Sequence, residues 1–222
     1  MSRFESITIR EVESSDLETF YEHQLDPEAI RMAAFVCKDP KDKVAFDAHW
    51  DKILNSSQIT QRTIVAEGQV AGHIACFPHG ENIEVTYWLG REFWGRALAT
   101  QALNRMLRLV IDRPIFARAA TDNIGSIRVL QKCGFKIIGK NKDFANGRGE
   151  DTEEYILRLD LDQANEQISL TSRQRQRAGI DLSSHGPLRS AFFLNSGRQE
   201  LVESGRPGLS GSAVFHRSDQ TA

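Results

Sequence analysis

A chain of 222 residues, 40% hydrophobic and 26% charged, carries enough apolar material for one well-packed domain with an appendage. Its formal net charge of -2 offers no strongly basic face that could release counterions from phosphates, which argues against nucleic acid or an anionic membrane as the main partner. No apolar run approaches the roughly 20 residues needed to span a bilayer, and MSRFESITIREVE alternates polar and apolar residues where a signal peptide would be continuously apolar, so a cytoplasmic protein is expected.

The chain opens with a strand predicted over residues 6–12, where Ile7, Ile9 and Val12 alternate with polar neighbours. Ser14, Ser15 and Asp16 then offer N-caps for a helix carrying Leu17, Phe20 and Tyr21. After the break at Asp39-Pro40, residues 43–54 place Val44, Phe46, Trp50, Ile53 and Leu54 near helical spacing, which predicts a second helix with one buried stripe. From Thr60 the period changes to two, and strands at 63–66, 70–77 and 83–89, separated by Glu67-Gly68-Gln69 and by residues 79–82, form an antiparallel meander.

Beyond Gly95 the pattern is helical again, with Ala99, Leu103, Met106, Leu107 and Val110 on one face. A strand at 115–120 and a helix at 124–132 follow, the latter closed by Gly134 at its C-cap. Strands at 135–139 and 154–161 end the regular part, with a polar loop expected at 141–151. The order βααβββαβαββ defines an α+β fold of the α/β-sandwich kind, a mixed, mostly antiparallel sheet flanked by helices, over residues 1–161. Residues 162–222, which lack Lys and favour Arg, Ser, Gln and Gly, are expected to be a low-complexity, disordered extension.

Cys37, Cys76 and Cys133 are odd in number and outside any CxxC pair, against a disulfide framework or a thiolate metal site. His73, Cys76 and His79 share a strand, but their spacing turns Cys76 to the face opposite both histidines, so no metal site is expected.

In "REFWGRALATQAL" a strand passes through small residues into a helix. The free N–H groups of a first helical turn, at the positive end of the dipole, bind anions such as pyrophosphate, and small side chains let a phosphate reach the backbone. Gly95, Ala97 and Ala99 meet that need and Thr100 adds a hydroxyl, although helices also start small for packing reasons. In "TDNIGSIRVLQKCGF", Asn123 and Ser126 stand three apart at a helix entrance and can address one ligand; Asn123 is equally suited to be an N-cap and Gly134 a C-cap.

On "EVTYWLGREFWGRALATQAL" and "ARAATDNIGSIRVLQKCGF" the chain resembles the GNAT superfamily of acyl-CoA-dependent N-acetyltransferases, in the branch that includes ribosomal-protein alanine N-acetyltransferases. The resemblance covers roughly residues 6–161. It implies that acetyl-CoA is the co-substrate, with its pyrophosphate on the backbone of Gly95, Arg96, Ala97, Leu98, Ala99 and Thr100. It further implies that Leu89 pairs through its backbone with the pantetheine arm, and that Asn123 and Ser126 lie near the sulfur end. The chain departs from the family at Trp94 and Ala97, which replace the first residue and first small residue of Arg/Gln-x-x-Gly-x-Gly/Ala. Alanine is expected to fit there in helical backbone. It departs again at Leu130, where many members carry a tyrosine acid that the alanine branch often lacks; Ser126 or water would then protonate the thiolate.

The implied chemistry is direct attack of a neutral primary amine on the thioester, with a strand N–H near the middle of residues 83–89 stabilising the oxyanion. Alternation puts Glu84, Thr86 and Trp88 on one face, which makes Glu84 either the proton acceptor or a solvated strand residue. Tyr21, His23, Arg31, Phe35 and residues 143–148 are available to an acceptor site. The acceptor, a protein N-terminus, an amino sugar or a small metabolite, stays open, as does the oligomeric state, a homodimer included. A non-catalytic acyl-CoA-binding module with a partner-recruiting tail is the rival reading. Nucleotide binding lacks its GxxxxGK[ST] loop.

Overall fold

The computed structural model describes residues 7–161. The segment 162–222, expected above to be an extension, lies outside the described residues. Strand β1 (Ile7–Arg10) is followed by helices α1 (Asp16–Gln24), α2 (Pro27–Ala33) and α3 (Lys43–Leu54). Strands β2 (Thr60–Ala66), β3 (Gln69–His79) and β4 (Asn82–Leu89) then form the meander. Helix α4 (Leu98–Leu109), strand β5 (Ile115–Ala120), helix α5 (Ile124–Lys132) and the hairpin of β6 (Lys136–Ala145) and β7 (Glu150–Leu159) complete the fold.

The observed order, βαααβββαβαββ, contains a helix that the hydrophobic pattern does not announce. Its signal is local and polar: Asp26 accepts from the N–H groups of Glu28 and Ala29 at 2.9 and 3.0 Å, and Pro27 occupies the first helical position, where a missing N–H costs nothing. In α3 the expected stripe shrinks to Phe46, Trp50 and Ile53, because Val44 is 80% and Leu54 37% exposed. Only positions spaced by four and three stay on the inward face. The polar stretch 141–151 is mostly strand rather than loop: β6 and β7 pair from Lys136–Arg158 to Ala145–Glu150. β6 lies at the sheet edge, where Lys140 and Glu153 stay in water, so these strands carry charges instead of an apolar alternation.

The sheet order is β1-β2-β3-β4-β5-β7-β6, and only β4 and β5 run parallel. Helices α4 and α5 cover one face through Leu98, Ala102, Leu103, Met106, Ile127 and Leu130, packed on Ile74, Val85, Leu89 and Ile115. Helices α1 and α3 cover the other, where Phe20, Phe46, Trp50 and Ile53 meet Ala75 and Phe77. At the start of α1 the buried Asp16 accepts both guanidinium nitrogens of Arg10 at 2.6 and 2.7 Å, the Thr63 hydroxyl at 2.6 Å and the Glu13 N–H at 2.9 Å. Burial raises the Asp16 pKa, but the Arg10, Thr63 and Glu13 bonds outweigh it and hold the carboxyl below its usual range. No helix among the described residues is long and apolar enough to cross a membrane.

His73 points into the α1 and α3 face, with its ring centroid 4.9 Å from Phe20 and 5.1 Å from Trp50, while Cys76 faces the opposite core. Burial, with smaller contributions from His23 and His49, pushes its pKa from 6.5 down to about 3. The imidazole is therefore neutral in the fold, whereas an unfolded chain binds a proton there below about pH 6.5. Stability should fall as pH drops from 6.5 toward about 3, with a contribution from this residue of about 1.4 kcal/mol per pH unit. Urea unfolding of the wild type and His73→Leu near neutral pH and at about pH 5 checks this: the variant should lose less stability on acidification.

Candidate active site

The site begins where the sheet comes apart. β4 and β5 share only the register pairs Ile83–Ile115 and Glu84–Phe116, and beyond them the strands diverge. The bond from the Gly90 N–H to the Ala71 carbonyl, 3.0 Å, fixes the alternation along β4. It turns the N–H and C=O groups of Val85, Tyr87 and Leu89 away from β3 and toward the gap. The gap widens into a cavity of about 590 Å³ that reaches both faces of the sheet. One wall is made by Ala97, Leu98, Ala99, Thr100, Gly125 and Ser126 at the starts of α4 and α5. The other is made by Ala29, Met32 and Ala33 of α2 with Thr86, Trp88 and Arg118.

The chain reaches α4 through a 3-10 turn, Arg91–Phe93, and a tight passage in which Gly95 has φ +74° and Ala97 φ +59°. The first bond inside α4 runs from the Gln101 N–H to the Ala97 carbonyl at 3.2 Å, so the N–H groups of Leu98, Ala99 and Thr100 are not used by the helix. Ala97 is therefore not in helical backbone, as the sequence suggests, but in left-handed backbone, where a Cβ costs about 1–2 kcal/mol. The family's glycine at this position would be free of that strain. Trp94 shows what the other departure does: its indole N–H donates to the Leu89 carbonyl at 3.0 Å, so the acceptor expected to pair with an extended ligand already has one donor. Arg96 turns its side chain to Glu67 at 2.9 Å and over the Phe93 ring, leaving its backbone as the part nearest α4.

At α5, Asn123 is the N-cap: its Oδ1 accepts the Ser126 N–H at 3.0 Å. Its Nδ2 donates to the Met32 carbonyl of α2, also at 3.0 Å. Leu130, 2% exposed, forms part of the cavity wall and supplies no hydroxyl. A phenol enters the wall instead from β4, where the Tyr87 hydroxyl donates to the Ser126 carbonyl at 3.4 Å and burial pushes its pKa up.

Of the residues singled out from sequence, Leu89, Gly95, Ala97, Leu98, Ala99, Thr100, Asn123 and Ser126 line this one cavity, whereas Glu84 and Arg96 do not. Of the two readings of Glu84, the structure overturns that of a solvated strand residue. Glu84 is 7% exposed, not solvated, and its Oε1 accepts the Arg118 Nε at 2.9 Å instead of facing the gap. Arg118 also donates to Glu154 at 3.2 Å, and Glu154 accepts from Asn141 at 3.1 Å. Tyr87, Arg118, Arg128, Lys132 and the whole α2 contribution were not singled out as site residues from sequence. Arg128 and Lys132 are four apart on α5, a spacing that puts both on one helix face.

A hollow of about 560 Å³ lies outside α1, lined by His23, Asp26, Arg91 and Glu92 among others. Asp26 and Arg91 are paired there at 2.9 Å, and His23, whose pKa burial lowers, stands 3.5 Å from Glu92.

No curated protein matches the chain significantly. Among solved structures, it is similar to a spermidine N-acetyltransferase from Vibrio cholerae in complex with CoA and spermine (16% identity, 69% of this chain, 94% of that chain, TM-score 0.59). It is similar to a ribosomal-protein-alanine N-acetyltransferase from Brucella melitensis (18% identity, 69% and 99%, TM-score 0.60). It also resembles the microcin C7 self-immunity acetyltransferase in complex with acetyl-CoA and AMP (16% identity, 70% and 92%, TM-score 0.59). These likenesses establish a shared fold. A model of the acetyltransferase (GNAT) domain matches residues 6–136, more than half of the chain. A parted parallel strand pair, a helix start with free N–H groups beside it and this domain match agree: the chain belongs to the GNAT family of acyl-CoA-dependent acetyltransferases.

Proposed function

We propose that the chain transfers the acetyl group of acetyl-CoA directly to a primary amine, of a protein N-terminus or of a small molecule. The observation that carries this reading is the single cavity through the parted sheet, with helix N–H groups at one side and the α2 wall at the other. The pyrophosphate sits on the N–H groups of Gly95, Arg96, Ala97, Leu98, Ala99 and Thr100, where the α4 dipole favours an anion. The pantetheine arm lies along the outward backbone of Val85, Tyr87 and Leu89 and passes Asn123 and Ser126. The amine enters along Ala29, Met32, Ala33 and Trp88 and meets the thioester near the point of divergence.

There the amine lone pair forms the new C–N bond, the C–S bond breaks and CoA leaves as the thiolate. A β4 N–H stabilises the oxyanion, and the ammonium proton passes to water. Ser126 or water supplies a proton to the thiolate. Glu84 acts one step removed, holding Arg118 in the acceptor-side wall. The bound complexes of the Vibrio cholerae enzyme and the microcin self-immunity enzyme support acetyl-CoA as co-substrate here.

Titration with acetyl-CoA, followed by CoA release with an amine panel that includes Ala- and Ser-starting peptides, tests the reading. Binding and turnover are expected. Tight binding with no turnover on any amine would favour the non-catalytic module. Ala97→Gly should bind acetyl-CoA at least as tightly as the wild type. Ala97→Val, a β-branched residue in left-handed backbone, should lose more than about tenfold in affinity, read by calorimetry. Glu84→Gln should lower kcat/KM while leaving the acid limb of the pH-rate profile in place; disappearance of that limb would restore Glu84 as the proton acceptor.

A further inference from the structure

We propose that Asn123 is a positioning residue that couples the cofactor side of the cleft to the acceptor side. The proposal rests on the reading of the cleft as an acetyl-CoA site, and goes beyond it by assigning how one half-site is held in register with the other.

A single primary amide makes both connections. Its oxygen caps α5 by accepting the Ser126 N–H at 3.0 Å, and its nitrogen donates to the Met32 carbonyl of α2 at 3.0 Å. Residues on both sides of it, Met32 and Ser126, line the cavity. A planar amide cannot move its oxygen and nitrogen independently. A shift of the α5 entrance, such as ligation along Gly125 and Ser126 would bring, is therefore passed to α2.

The α2 end needs such a hold, because it is short and its carbonyls run into irregular backbone. Ala34, just after it, has φ +63°, and α2 buries only Ala29 fully among its own residues. The carbonyls of its Arg31 and of Ala34 and Val36 just beyond it are taken up from outside: Arg31 by the Arg148 Nε at 3.0 Å, Ala34 by the Gly147 N–H at 2.8 Å, and Val36 by the Asn146 Nδ2 at 2.9 Å. Those three bonds come from the turn between β6 and β7. Only the Asn123 bond comes from a residue that also caps the cofactor-side helix. Gly147 approaches so closely that a Cβ there would stand 2.6 Å from the Ile30 carbonyl, so the turn forms a fixed backstop for α2. Asn123 is the adjustable contact working against it.

Asp and Asn differ in the way the test requires. Asn123→Asp keeps the capping oxygen and loses the donor to Met32, whereas Asn123→Ala loses both. Hydrogen exchange of the full chain, with and without acetyl-CoA as the probe, reads the coupling without knowledge of the acceptor amine. In the wild type, acetyl-CoA should slow exchange across α2. Compared at saturating acetyl-CoA, Asn123→Asp should exchange α2 amides about tenfold faster when unliganded and lose the slowing on ligation. Asn123→Ala should also weaken acetyl-CoA binding through loss of the cap. Once an acceptor is found, Asn123→Asp should raise its KM with kcat less affected.

Acetyl-CoA binding without any change of α2 exchange in the wild type, or the same slowing retained in Asn123→Asp, overturns the coupling and leaves the site reading intact. Failure of the wild type to bind acetyl-CoA removes both.

Discussion

The candidate site among the described residues depends on two strands that part company. β4 is held along its length by β3 and β5 by β7, so each is fixed on its outer side, and the two share only the pairs at Ile83 and Glu84. A sheet normally leaves no backbone groups idle in its interior. Here the backbone groups of Tyr87 and the Leu89 N–H face the gap in the middle of the fold, beside a helix start with further N–H groups that the helix does not use. The Glu84, Arg118, Glu154 and Asn141 cluster lies at the fork and ties four strands together across it. Such ionic clusters are weak evidence for net stability, because desolvation of the charges offsets their attraction.

The entrance to α4 shows how local backbone and chemistry trade against one another. Gly95 and Ala97 both turn left-handed on the way into α4, whose first residues line the cavity. Alanine at such a position is under strain, and it is held there by the packing of Phe93 and Leu98 on either side, which are 5% and 1% exposed. The Trp94 indole meanwhile occupies the Leu89 carbonyl. The two departures from the family pattern thus fall on the wall itself, one on its curvature and one on its hydrogen-bonding capacity.

Much of this is legible in the linear sequence. β5 and α5 lie where the pattern puts them, because Ile115–Ala120 is an unbroken strand run and α5 has both a polar cap and a terminal glycine. Helix α2 is missed because its signals, an Asp cap followed by Pro27, are not hydrophobic ones. Both strands of the β6 and β7 hairpin are announced, but their inner ends within 141–151 are read as a loop because a strand pair at the sheet edge in water need not alternate. For Glu84, alternation names the correct face but not the partner: Arg118 is 34 positions away and meets it only once β4 and β5 are aligned. Asn123 is equally ambiguous from sequence, since its cap is local and its bond to Met32 crosses 91 positions. Periodicity reports which side of an element a residue takes; it does not report what waits there.

The cavity's reach through both faces of the sheet has a kinetic consequence. A pocket with one mouth forces its reactants into a queue, since the second to enter covers the exit of the first. On the proposed reading, a ligand seated against α4 and α5 and another seated against α2 would approach from opposite faces, and neither would have to wait for the other to arrive or depart. Turnover in such a layout is governed by how long each occupant stays at its own side, so that tightening the grip on one need not trap the other.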